Sequence, residues 1–136
     1  MIVLDASALV ELLLGTPAGA VVIDRIADPS ISLHVPHLAD LEVTQVLRRY
    51  VRWEILTSSE AEGALDDLRD LDVNRHAHEP LLQRIWGLRE NLTAYDAVYV
   101  ALAEALDTRL LTCDRRLSQA PGLSRRVMLV SSDHTS

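Results

Sequence analysis

Ile2-Val3-Leu4-Asp5-Ala6-Ser7-Ala8 begins the chain with a short β-branched apolar run that stops at a carboxylate. Such a run suits a buried strand, and the residues after it, about Ala6 to Leu14, read as a helix that starts without a linker. Gly15 stops that helix, and Thr16-Pro17 supplies an N-cap and a first-turn proline for another, to about Asp28. Asp28-Pro29-Ser30 is a turn, Ile31 to Val35 a second strand, and Pro36 precedes a helix through about Arg52. Thr57-Ser58-Ser59-Glu60-Ala61-Glu62 holds two overlapping capping boxes, so a helix to about Leu71 follows. A brief strand from Asp72 to Arg75, a helix from Glu79 to Glu90 and a very apolar helix from Thr93 to about Asp107 come next. Arg109 to Thr112 and Val127 to Val130 complete the set of strands.

Strands that alternate with helices imply an α/β sandwich with a mostly parallel sheet, because parallel neighbours need crossover connections. Residues 1–136 are expected to form one domain, since this length buries a core and is too short to divide comfortably. Ligands in such folds gather at the carboxyl ends of the strands. That rule directs attention to Asp5.

Composition removes several chemistries. All 13 basic residues are arginine, so the lysine of a phosphate-binding P-loop or of Schiff-base catalysis is missing. A single cysteine, Cys113, excludes an intramolecular disulfide and a cysteine metal cluster. No stretch approaches membrane-spanning length, and the first apolar run lacks the basic flank of a signal peptide, so a cytoplasmic protein is expected. The net charge of −7 argues against a generic nucleic-acid coat but not against an enzyme that meets phosphate through metal ions.

Four acids stand out. Asp5 and Asp114 each follow an apolar strand, Asp114 after Leu110-Leu111-Thr112-Cys113, where a parallel sheet presents its carboxyl edge. Either alone reads equally as a helix N-cap; the two together favour a site. Glu42 interrupts a helix face otherwise made of Ala39, Val43, Val46, Leu47 and Tyr50, so it points inward. A buried carboxylate needs a partner, either an arginine or a metal shared with other acids. Asp96 lies in the first turn of the most apolar helix, where a capping box with Thr93 explains it as well as a site does. Carboxylates converging in one pocket repel one another, and a divalent cation removes that cost. Hard oxygen ligands favour Mg²⁺ or Mn²⁺, the ions of two-metal phosphoryl displacement.

Other candidates carry less. His34, His37, His76 and His78 read as surface or turn histidines, because no zinc motif accompanies them. Ser7 has no nucleophile elbow around it and reads as support for Asp5 or for the first helix turn. Cys113 reads as packing, and Trp53 and Trp86 are too few for a stacking platform on their own. Arg48, Arg49, Arg115 and Arg116 are the candidates for contacts to a phosphate backbone if they ring the acids.

Taken together the residues resemble the PIN-domain ribonucleases, especially the VapC-type toxins of toxin–antitoxin pairs. The resemblance rests on Ile2–Ala8, on Leu41-Glu42-Val43-Thr44-Gln45-Val46-Leu47-Arg48-Arg49, on Thr93-Ala94-Tyr95-Asp96-Ala97, and on Leu110–Leu117. It implies a three-layer α/β/α sandwich, RNA cleavage dependent on Mg²⁺ or Mn²⁺, a homodimer, and inhibition by a VapB-type antitoxin. It also implies that Asp5, Glu42, Asp96 and Asp114 form the metal site, with Ser7 and Thr112 in support. Where some relatives carry a further acid after the Asp114 position, this chain has Arg115, Arg116 and Leu117. Two other readings stand beside it. A Mg²⁺-dependent phosphotransfer domain would need a lysine and, in one type, an Asp-x-Asp start. A non-catalytic α/β interaction module would have its acids paired with arginines.

Overall fold

Five short strands explain the position of everything else. In the computed structural model, which describes residues 1–131, β1 is Ile2–Leu4, β2 Leu33–Pro36, β3 Val73–His76, β4 Arg109–Thr112 and β5 Val127–Leu129. All neighbours pair parallel, in the order β3-β2-β1-β4-β5. The helices are α1 (Ala6–Leu14), α2 (Pro17–Ile26), α3 (Leu38–Arg52), α4 (Ser58–Asp70), α5 (Leu82–Gly87), α6 (Ala94–Ala105) and α7 (Arg115–Ser118). The α/β sandwich expected from the alternation is therefore present, with a sheet that is parallel throughout.

The chain starts in the middle of the sheet and moves outward through β2 to β3, then returns to β4 on the other side of β1. Right-handed crossovers place α1 to α4 on one face and α5 and α6 on the other when the direction of travel reverses. The packing agrees, since α1 lies on α2, α3 and α4, whereas α6 lies on α5 and on β1, β2 and β4. The reversal makes the gap between β1 and β4 a topological switch point, where the carboxyl ends of the strands open a crevice.

Local chemistry accounts for the helix ends. Asp5 caps α1, accepting from the Ala8 amide, and Gly15 closes it at φ 65, a conformation that favours glycine. Thr16 caps α2 ahead of Pro17. Thr57 and Glu60 make the reciprocal capping box of α4. Gly19 lets α2 cross close to α1: a β-carbon there would lie 2.0 Å from the Glu11 carbonyl oxygen. The core joins Val3, Leu4, Leu110 and Leu111 of the sheet to Leu9, Val43, Leu47 and a run from Ala97 to Ala103, all buried.

Some boundaries differ from the sequence expectation. The helix expected from Glu79 to Glu90 is a 3₁₀ turn at Glu79–Leu81 followed by the short α5, which ends at Gly87, a poor helix residue. Residues 115–118, for which the sequence suggests no helix, form α7, capped by Asp114. His34 is buried, not a surface or turn residue, because β2 has a strand on each side. It bonds His76 at 2.9 Å and Ser32 at 2.8 Å. Among the described residues no single helix is long and apolar enough to cross a membrane.

Candidate active site

Asp5 is the floor of the crevice. Its backbone amide still belongs to the sheet, donating to the Leu111 carbonyl at 3.2 Å, while its side chain already serves α1. One carboxylate oxygen accepts from the Ser7 hydroxyl at 2.7 Å and the Ala8 amide at 2.9 Å; the other accepts from the Thr112 hydroxyl. All three donors are neutral, and among the described residues Asp5 enters no ion pair. Burial pushes its carboxyl up from 3.8 to about 6; the hydrogen bonds from Thr112, Ser7 and Ala8 oppose this, and the charge on Asp114 adds to it.

Ser7 and Thr112 tie the ends of β1 and β4 together. The Ser7 oxygen accepts from the Cys113 amide at 2.9 Å, and the Thr112 oxygen accepts from the Asp114 amide at 2.9 Å. The two hydroxyls lie 3.2 Å apart. Each donates to Asp5 and accepts from the strand that delivers Asp114, so the spacing of the two aspartates is set by these side chains. Both residues that the sequence assigned to support thus touch Asp5 directly. Cys113 packs beside them, its thiol pushed up to about 12 chiefly by burial.

Glu42 reaches the crevice from α3 and is half-buried. Among the described residues its partner is not the arginine that the sequence left open. The Tyr99 hydroxyl of α6 donates to it at 2.6 Å. Tyr99 is only 2% exposed, the Ala6 amide interacts with the same oxygen, and the Asp5 charge acts on it too. Burial raises the Glu42 carboxyl; the Tyr99 bond works against this and the Asp96 charge adds to it. The sequence held the signal for Tyr99. It is three residues after Asp96, hence on the same side of α6, and it carries the only hydroxyl in an otherwise aliphatic stretch.

Asp96 and Asp114 are less enclosed. Thr93 caps α6 by accepting from the Asp96 amide at 3.1 Å, and Asp114 caps α7 by accepting from the Arg116 amide at 2.9 Å. The capping roles are therefore real. They leave the carboxylates turned to a shared cation: one Arg116 nitrogen lies 3.1 Å from Asp96 and 3.2 Å from Asp114. The arginine-pair reading thus holds for these two acids and fails for Asp5 and Glu42, the two whose carboxyls burial raises.

The four acids accordingly form a connected set, with Asp5 beside Asp114, Asp114 joined to Asp96 through Arg116, Asp96 acting on Glu42, and Tyr99 between Glu42 and Asp5. Among the described residues no three His, Cys, Asp or Glu side chains stand around one point as an ion demands. The donor chemistry nevertheless fits a hard divalent cation. Every side chain in the set is an oxygen donor apart from Arg116, and among the described residues buried Asp5 and half-buried Glu42 have no positive partner. Of the arginines singled out from sequence, Arg116 is in the set and Arg115 lies beside it, lining a small cavity with Glu11 and Cys113. Arg48 and Arg49 project from the exposed side of α3.

The PIN domain family model matches residues 2–123. The chain is 48% identical over 129 residues to Ribonuclease VapC1 of Mycobacterium tuberculosis, covering 94% of this chain and 96% of the relative. It is 41% identical over 131 residues to Ribonuclease VapC12 of the same organism, covering 96% of this chain and all (100%) of that relative. Among solved structures, PAE2754 from Pyrobaculum aerophilum aligns with TM-score 0.67 and 26% identity over 85% of this chain and 76% of that one. The fold is shared as well with Mycobacterium tuberculosis VapC20, a sarcin-ricin loop cleaving toxin, at TM-score 0.66 and 14% identity, covering 87% of this chain and 93% of that one.

Proposed function

The chain belongs to the PIN-domain family as a ribonuclease of the VapC type, and from that premise we propose that it is a toxin endoribonuclease that hydrolyses RNA phosphodiesters with Mg²⁺ or Mn²⁺. The observation that carries the metal requirement is Asp5, a buried carboxylate raised to about 6 with neutral donors alone around it. Asp5, Glu42, Asp96 and Asp114 would hold the ion or ions. Bound there, the metal supplies Lewis-acid polarisation of the phosphate and a lowered pKa for attacking water.

The protein's own contribution is positioning. Ser7 and Thr112 fix Asp5 relative to Asp114, so the carboxylates need little reorganisation when charge develops on the phosphate. Tyr99 holds Glu42 through its hydroxyl. Arg116, at 70% side-chain exposure, bridges Asp96 and Asp114 and is free enough to swing onto the scissile phosphate or its neighbour, with Arg115 next to it. A cognate VapB-type antitoxin is the proposed inhibitor, and a homodimer the proposed assembly.

The decisive experiment compares wild type with Asp5→Asn on total RNA. Wild type should cleave with Mg²⁺ or Mn²⁺ and stop in excess chelator, and the variant should fold without cleaving. Full cleavage by the variant, or unchanged cleavage in chelator, overturns the mechanism.

A further inference from the structure

Glu42 lies where the buried face of α3 meets an arginine-rich one. Ala39, Val43 and Leu47 are buried, and Gln45, Arg48, Arg49, Arg52 and Trp53 are exposed. At about 100° per residue, Glu42, Arg49 and Trp53 fall within roughly 20° of one line along the helix, with Gln45 and Arg52 beside it. The line runs from the acids for about 16 Å, at about 1.5 Å per residue. Gln45, Arg48, Arg49, Arg52 and Trp53 enclose a shallow cavity of about 360 Å³.

We infer that this face of α3 is a track for single-stranded RNA, the Arg48, Arg49 and Arg52 guanidinium groups taking successive phosphates and the Trp53 ring stacking on a base. The inference rests on the proposed ribonuclease activity and adds the path of the substrate away from the acids. Its first support is electrostatic. In a protein of net charge −7, Arg48, Arg49 and Arg52 are among the eight arginines that enter no ion pair within the described residues, and they stand together along one helix. Three adjacent uncompensated guanidinium groups repel one another, a cost that a polyanion removes.

The lining is the second support. Three guanidinium groups, one amide and one indole surround the cavity, with no aliphatic side chain among them. That composition matches a phosphate backbone with an unstacked base, whereas the adjoining groove between α3 and α4, which Arg48 and Arg52 also line, adds Val51 and Leu65, the contacts that the apolar face of a protein partner would favour. The third support is the presentation of Trp53. It is 62% exposed, its amide is held by the Arg49 carbonyl at 2.9 Å, and the Tyr50 ring lies 6.3 Å away. An exposed indole beside the Tyr50 ring and at the end of a row of arginines is a stacking position.

The test is fluorescence anisotropy with a labelled 20-nucleotide single-stranded RNA of mixed sequence and with the corresponding duplex, in chelator, from 50 to 300 mM salt. The full chain carrying Arg48→Ser, Arg49→Ser and Arg52→Ser should bind the single strand at least tenfold more weakly than wild type. Its log–log salt slope should fall by about 2, at roughly 0.7 for each phosphate no longer neutralised. Trp53→Leu should weaken binding about tenfold with the slope unchanged, and lysine at the three arginine positions should restore the slope. Arg25→Ser, Arg109→Ser and Arg125→Ser together, at three exposed arginines away from α3, are the control for net charge. In a Trp86→Phe background the single strand should quench Trp53 fluorescence more than the duplex does. If the triple variant matches the control, or if it keeps RNA affinity but shifts from dimer to monomer in sedimentation, the track is refuted while the nuclease reading stands. If wild type cleaves no RNA with any divalent ion, the activity itself is wrong, whatever the binding result.

Discussion

Replacing Asp5 by asparagine should stabilise the metal-free protein at neutral pH. The folded carboxyl titrates at about 6 and the unfolded one near 3.8, so ionisation is disfavoured in the fold. The linkage then has a definite sign. Wild-type stability is greatest below the unfolded value, falls as pH rises between roughly 4 and 6, and is level above that. The separation amounts to about 3 kcal/mol. Asparagine keeps the shape of the protonated acid and carries no charge, so it escapes the loss. Its oxygen can retain the bonds from Ser7 and Ala8, and its amide can donate to the Thr112 oxygen, whose own proton turns to Ser7 at 3.2 Å. In chelator at pH 7.5 the variant should melt about 10 °C above wild type, taking roughly 3–5 °C per kcal/mol for a domain of this size. Near pH 4 the gap should shrink to a degree or so. Urea denaturation across that pH range, followed by circular dichroism, measures it. A gap independent of pH, or a variant less stable than wild type at pH 7.5, refutes the claim that Asp5 is an uncompensated buried charge.

Tyr99→Phe removes the hydroxyl that holds Glu42 and should lower kcat for RNA cleavage about tenfold, with KM little changed and the thermal transition shifted by only a few degrees. Steady-state kinetics at saturating Mg²⁺ separates the two parameters. Arg116→Gln takes away the cation shared by Asp96 and Asp114, so Mn²⁺ affinity by calorimetry should rise a few-fold even as cleavage falls. Gly19→Ala should cost about 1–3 kcal/mol in chemical denaturation, because the new methyl meets the Glu11 carbonyl of α1 and backbone must give way.

The sequence by itself determined the alternation of strands and helices, hence a parallel sheet, and it placed Asp5 and Asp114 at strand ends. These are consequences of local periodicity and punctuation, such as Ile2-Val3-Leu4 before Asp5 and Gly15 after α1, which act over a few residues. The inward turn of Glu42 was legible too, as one acid on an apolar helix face. What the sequence left open was which groups meet. Tyr99 bonds a residue 57 positions away, and Thr112 bonds one 107 positions away; neither distance has any local signature. The burial of His34 depends on β2 being flanked by β1 and β3, a property of strand order. The short α7 exists because the Asp114 side chain caps it. Only the tertiary structure, by bringing β1 and β4 side by side at the switch point, decided that Asp5 would have Ser7 and Thr112 for partners and, among the described residues, no arginine, since pairing across a sheet is set by the whole chain's path.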